Sequence, residues 1–465
     1  MRRSSVALAI AAAVAATLPL AAASSASTTG TTARVSVSET GGNTDGQSSR
    51  AVISPDGTAA GYYSIARNIT SKPEYGAYDV FEVLLPSLQT KLVSYAFDGS
   101  AANGLSTYPA VSNNGTYVAF MSAATNIMPG DTNTKNDIFR RNMETGVVQL
   151  VSVNRSGGFG GGTRPTISAD GRYVAFNAAG ALFGSPRQRL NNVYVRDMAN
   201  GTTKLVTGTG DAESIRPMIS PDGSTVTFMS SASNLDPLAS DTDNGYDVYQ
   251  ANLGTGAIRL VSATPTYTAG GGSATAGDAD SRATVSTTGQ FVVFESNTDN
   301  LVFGDTNGVV DAFRRDMSRA PGTPGAMVRA SVRFDGSQAT GATTRPTVSG
   351  DGNLVAFASN DARIVKGDTN STRDVFVRNL AAGTNSAVSV TPTGTTGTCA
   401  AAAAPASAGS PTAPFIRAGA ACIASRPEMS MAGDKILFVS GFTNLVPNDT
   451  NGFDDIFVRT YVSVP

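Results

Sequence analysis

One pattern recurs along this chain and restricts its fold more than any other feature. A serine is followed three residues later by glycine, and then by a run of alternating apolar residues. The copies are ISPDGTAAGYYS, VSNNGTYVAFMS, ISADGRYVAFNA, ISPDGSTVTFMS, VSTTGQFVVFES, VSGDGNLVAFAS and MSMAGDKILFVS. Their glycines, Gly57, Gly115, Gly171, Gly223, Gly289, Gly352 and Gly433, stand about 63 residues apart on average, a period that suits one four-stranded unit with its loops.

Each unit reads as four short strands. The first precedes the turn, as in RPTVS (345–349), and the second follows it, as in NLVAFAS (353–359). Asp-Gly accepts a positive φ, so these two strands form a hairpin. The third begins with aspartate: DIFRRN (137–142), DVYQAN (247–252), DAFRRD (311–316) and DVFVRN (374–379). The fourth is read at KLVSY (91–95), QLVSV (149–153), KLVTG (204–208), RLVSA (259–263) and SAVSV (386–390).

A lone four-stranded sheet cannot bury both faces, but radial stacking hides the faces and leaves only short edges. The expected fold is therefore all-β: a seven-bladed β-propeller of four-stranded antiparallel blades. Its last copy ends at DIFVRTYVSVP with little room for a fourth strand. The segment ARVSVSE (33–39) is expected to supply that strand and close the ring from the N-terminal side.

The 49 glycines fit an all-β chain with many tight turns. The absence of histidine removes Ser-His-Asp and Cys-His activation and most zinc and iron sites. A net charge of −2 lacks the basic field of a nucleic-acid or membrane-surface binder. Residues 1–26 read as a secretory signal, with Arg2 and Arg3 before an apolar core and small residues at Ala21, Ala23 and Ala26. The propeller then spans 27–465, and no later run is long enough for a membrane-spanning helix. The expected address is extracellular, periplasmic or cell-envelope. Residues 391–425 form an Ala-, Thr-, Pro- and Gly-rich insertion that encloses Cys399 and Cys422, expected as a disulfide in that compartment.

Two sets of repeated residues are candidate sites. The first lies between the second and third strands, where Asp, Asn or Asp, and Asp recur at relative positions 1, 3 and 7. These are Asp131, Asn133 and Asp137; Asp241, Asp243 and Asp247; Asp305, Asn307 and Asp311; Asp368, Asn370 and Asp374; and Asp449, Asn451 and Asp455. Two copies depart: KPEYGAYD (72–79) keeps the last aspartate and SPRQRLNN (185–192) keeps no acid. Calcium wants six to eight oxygens, and these loops supply several. Asx-turns account for the same residues without metal, so both readings stay open.

The second set stands four residues before each repeat serine: Arg50, Tyr108, Arg164, Arg216, Arg282, Arg345 and Arg426. Such a ring at the channel mouth suits an anionic ligand, or else neutralises loop aspartates. Glu213, Glu295 and Glu428 are acids outside the repeat that only folding can bring together.

The S-x-D-G-x-x-V-A-F repeats, with Arg-Pro just before, resemble the TolB-type, WD-repeat-like propellers of exported bacterial proteins. That resemblance covers nearly all of the chain after residue 26 and implies fold and export far more than activity. TolB has six blades and an added N-terminal domain, whereas seven units are read here. The expected function is a non-catalytic, monomeric scaffold that binds a protein or glycan, with calcium as its candidate stabilising ion. The alternative is a glycosidase or lyase using channel carboxylates.

Overall fold

The computed structural model describes residues 30–72, 74, 76–179, 190–239, 241, 245–266, 268, 282–399 and 422–462. The signal segment 1–26, Asp243, residues 185–189 and the central part of the 391–425 insertion lie outside them.

Among the described residues are seven four-stranded antiparallel sheets. The first blade takes Ser48–Ile53, Ala59–Ser64, Asp79–Leu84 and Gln89–Leu92 in spatial order. Five blades repeat that order along the chain, and the seventh completes itself with a strand from the other end. There Gly30–Arg34 pairs antiparallel with Asp455–Tyr461, with Thr31 opposite Thr460 and Arg34 opposite Phe457. The closing strand thus begins before the expected 33–39 and leaves the ladder soon after Arg34. On the opposite face, Met431 N–H donates to Pro55 O at 2.9 Å and also joins the seventh blade to the first.

The third strands fall where the sequence places them, as at Asp137–Asn142 and Asp374–Asn379. The fourth strands end earlier than read: Gln89–Leu92 rather than 91–95, and Val148–Leu150 rather than 149–153. The cause is the serine of each LVS element. Ser94 Oγ accepts the N–H of Val80 at 3.0 Å and donates to Asp79 Oδ1 at 2.8 Å. A side chain therefore takes over where the backbone ladder would have continued. Ser152, Ser262, Ser331 and Ser389 repeat this clasp, and Thr207 does so on Asn192.

The core forms between blades because the alternating apolar residues of strands two and three face neighbouring sheets. Every blade holds a cross-strand aromatic pair, such as Phe120–Phe139 at 5.7 Å and Phe294–Phe313 at 5.9 Å between ring centroids. Such pairs contribute about 0.5–1.5 kcal/mol each beyond area burial. One cluster joins Tyr62, Phe81 and Val83 of the first blade to Leu437, Ile456 and Val458 of the seventh, so the closing seam is packed. The repeat glycines serve this contact: Gly352 has φ +76°, and a Cβ there would lie 2.2 Å from Phe291 of the preceding blade.

Cys399 and Cys422 are disulfide-bonded, with Cα atoms 5.8 Å apart. Both pack against the cluster between the sixth and seventh blades. Among the described residues no helix is long and apolar enough to cross a membrane.

Candidate functional site

The loops between strands two and three share one face with the connections from strand four to the next blade. Phe97 N–H bonds Asn126 O at 3.0 Å and Phe334 N–H bonds Arg363 O at 3.1 Å, each linking the two kinds of loop.

The Asp-x-Asn loops are closed by their own hydrogen bonds. Asn133 Nδ2 donates to Asp137 Oδ2 at 2.8 Å, while Asn133 Oδ1 accepts the N–H of Lys135 at 2.7 Å. Asn307, Asn370 and Asn451 do the same with Asp311, Asp374 and Asp455. The amide N–H₂ thus lies where a cation shared with that aspartate would sit, and the only side-chain oxygen faces the backbone. In two blades an arginine of the outermost strand joins the carboxylates. Arg329 lies 2.9 Å from Asp305 and 3.5 Å from Asp311, and Arg34 lies 3.3 Å from Asp449 and 3.8 Å from Asp455. Asp241 accepts the Tyr249 hydroxyl at 2.6 Å, and Asp247 accepts that of Ser262. Burial pushes the Asp374 carboxyl up to about 7 and raises Asp131 and Asp368. Among the described residues no group of three or more His, Cys, Asp or Glu is placed to hold a metal ion. As placed, the asparagine of four of these loops turns its N–H₂ and not its oxygen toward the aspartate.

Six of the second set lie on the innermost strands, and Arg282 lies just before its own, Thr284–Val285. Each of Arg50, Tyr108, Arg164, Arg216, Arg345 and Arg426 has φ between 48° and 57° and sits at a register shift of the inner hairpin. Such bulges re-aim a side chain, and non-glycine residues hold this backbone region only at an energetic cost. Five of the six also precede proline, which itself disfavours helical backbone at the preceding residue. Arg50, Arg282, Arg345 and Arg426 line a cavity at the mouth of the central channel together with Thr284 and Glu428. Below it the channel is walled by residues such as Val52, Val111, Ile167, Met218 and Val285. Tyr108 fits into the ring because its π face attracts cations: Arg50 and Arg164 lie 4.5 and 5.0 Å from its centroid.

Two of the acids that the sequence left scattered meet the ring. Arg282 Nη2 meets Glu428 Oε1 at 2.6 Å, and Glu295 Oε2 accepts the backbone N–H of Arg345 at 2.7 Å. Glu213 instead accepts the Tyr246 hydroxyl and the Asn191 amide. Arg34 and Arg329, which meet loop aspartates in two blades, stand outside the ring.

Sequence reasoning passed over the apolar side chains of this face. Of the eight exposed large apolar residues described, six stand on its loops: Phe97, Leu105, Leu238, Phe303, Phe334 and Phe453. Phe303 is 91% exposed and Leu238 64%. Val147 is on the opposite face and Val462 near the chain end. The signal was legible in part, since FDGS occurs twice, at 97–100 and 334–337.

No family model matches the chain, and no curated protein matches it. Among solved structures it is similar to an oligogalacturonate lyase in complex with manganese, at 13% identity over 94% of each chain with a TM-score of 0.50. The propeller domain of the Trilobed protease from Pyrococcus furiosus matches at 8% identity, over 90% of this chain and 98% of that one, with a TM-score of 0.49. TolB from Acinetobacter baumannii matches at 15% identity over 74% of this chain, with a TM-score of 0.39. This chain covers 64% of the TolB structure's length. The shared feature is the β-propeller. At these identities the likeness concerns the fold alone.

Proposed function

We propose that this protein is an exported, non-catalytic propeller that docks a protein partner on the face bearing the strand-two-to-three loops. The observation that carries the reading is the one-sided placement of exposed Phe97, Phe303, Phe334, Phe453 and Leu238. Exposed aromatic and aliphatic side chains that share one face favour a contact surface there, and phenylalanines without a polar handle suit a polypeptide better than a sugar. Export is supported by the leader at 1–26 and by the Cys399–Cys422 disulfide. On this reading the Asp-x-Asn loops are hydrogen-bonded turns that hold the docking face in shape without calcium.

The channel-carboxylate enzyme has less support. Glu428 and Glu295 are the acids at the ring, and each is already engaged with it, one by an ion pair and one by a backbone N–H.

The test is site-specific photo-cross-linking in the native host. A benzophenone side chain at Phe303 or Phe334 is expected to trap one discrete protein, and the same group at Val147 none. Trapping only from Val147, or a glycan adduct in place of a protein, would overturn the reading.

A further inference from the structure

We propose that the outermost strand of the first blade is a docking edge for an extended polypeptide segment, which pairs with it as a fifth strand. The edge lies on the flank of the ring, apart from Phe303 and Phe334 of the fifth blade, and stands whether or not the docking face does.

Three observations converge. First, the strand Gln89–Leu92 has a partner on one side only. Phe81 stands opposite Leu92 and Val83 opposite Thr90, and just beyond them Val93 N–H donates to Val80 O at 2.8 Å. Antiparallel pairs alternate, so Thr90 and Leu92 turn their N–H and C=O away from the sheet.

Second, a cavity of about 690 Å³ runs along this strand, within the size range of ligand sites, about 300–1,000 Å³. One wall comes from Val37, Glu39 and Ile69, and the other from Met143 and Thr145 in a turn of the second blade; Val147 lies outside the lining. A chain laid over Thr90 and Leu92 would send alternate side chains to opposite walls, as added strands do. In the fifth and sixth blades the corresponding loop is drawn inward, with Asn307 Nδ2 on Ala339 O at 3.0 Å and Asn370 Nδ2 on Gly397 O at 2.7 Å. The 72–79 loop has no such asparagine, and Leu92 takes the register position that Arg329 holds in the fifth blade.

Third, the far wall is fixed. Buried Arg141 donates to Gly146 O at 2.9 Å and to Tyr95 O at 2.6 Å. Its guanidinium lies 3.6 Å from the Tyr95 ring centroid, and Lys72 Nζ lies 3.8 Å from it. Two cations that close to one centroid take its opposite faces, which leaves no ring face for a sugar. The open backbone favours a polypeptide.

The experiment probes an array of capped octapeptides, alternating apolar and polar residues, with the intact protein. The strongest binder is then measured in solution by fluorescence anisotropy and is expected to have a Kd below about 1 mM. Methylating its backbone nitrogens at one of the two alternate sets of residues should weaken it at least about tenfold. Thr90→Pro removes an outward N–H, a change an edge strand tolerates, and should weaken it as much. Thr90→Val keeps that N–H and should bind as the unaltered protein does. A thermal melt of each variant confirms folding.

No binder at about 5 mM would overturn the edge. So would undiminished binding to folded Thr90→Pro, or equal binding of the parent peptide and both methylated forms; if Thr90→Pro does not fold, the methylated peptides decide. A loss in Thr90→Val as large as in Thr90→Pro would assign the ligand to the hydroxyl and overturn backbone pairing. Cellohexaose with a lower Kd than the peptide would overturn the polypeptide class. Peptide binding here without any cross-link from Phe303 or Phe334 would sink the docking reading alone.

Discussion

Ser36 donates its hydroxyl to Asp455 Oδ1 at 2.6 Å and accepts the N–H of Ile456 at 2.9 Å, joining residues 419 positions apart. It is the clasp found in every blade, made here between the two ends of the described chain. Ser36→Ala leaves a buried carboxylate and an N–H short of a partner, with an expected cost of about 1–3 kcal/mol. The same change at Ser152 should cost a similar amount. Only the Ser36 variant should also open the ring, seen as early proteolytic cleavage near residues 30–37. Equal protease resistance in both variants would contradict closure through this strand.

Glu82 stands where three other blades place a donor. Gln250 donates to Gly289 O at 2.8 Å and Arg314 to Gly352 O at 3.1 Å, and Arg140 reaches Gly171 O in the same way. Glu82 faces Gly115 of the next blade, and a Cβ on that glycine would lie 2.2 Å from its Oε1. Burial pushes its carboxyl up to about 7, partly offset by Lys91. The native state therefore holds the proton more tightly than the unfolded chain. Stability from this group is present below pH 4.5 and is lost as pH rises to about 7. Glu82→Gln should supply the donor permanently, raise Tm at pH 8 by a few degrees and flatten Tm between pH 5 and 8. An unchanged pH slope would show that Glu82 ionises freely.

Arg329 is the cation that Asp305 and Asp311 hold in common. Arg329→Leu leaves those buried carboxylates unmatched, at an expected cost of about 3–5 kcal/mol. Millimolar calcium should not restore the loss, and a chelator should leave the Tm of the unaltered protein where it was. A chelator-induced fall in Tm would reinstate calcium at these loops.

The repeat made the architecture legible because period-two alternation and the Asp-Gly turn are local properties of the chain. Third strands were placed well, since each opens on an aspartate or asparagine whose role is fixed within its blade. The ends of the fourth strands were misplaced because Val-Ser looks β-prone, whereas the hydroxyls of Ser94 and its counterparts replace the ladder there. The ring positions were legible too, but their partners were not. Arg282 and Glu428 are 146 residues apart and meet only once the circle closes. The exposure of Phe303 could not be separated from burial by pattern alone, because one apolar residue in a loop reads the same either way.

The central claim is that the face bearing the strand-two-to-three loops docks a polypeptide. The direct measurement is photo-cross-linking in the native host from Phe303 on that face and from Val147 on the opposite one. The account predicts one discrete protein trapped from Phe303 and none from Val147. Trapping from Val147 alone would contradict it.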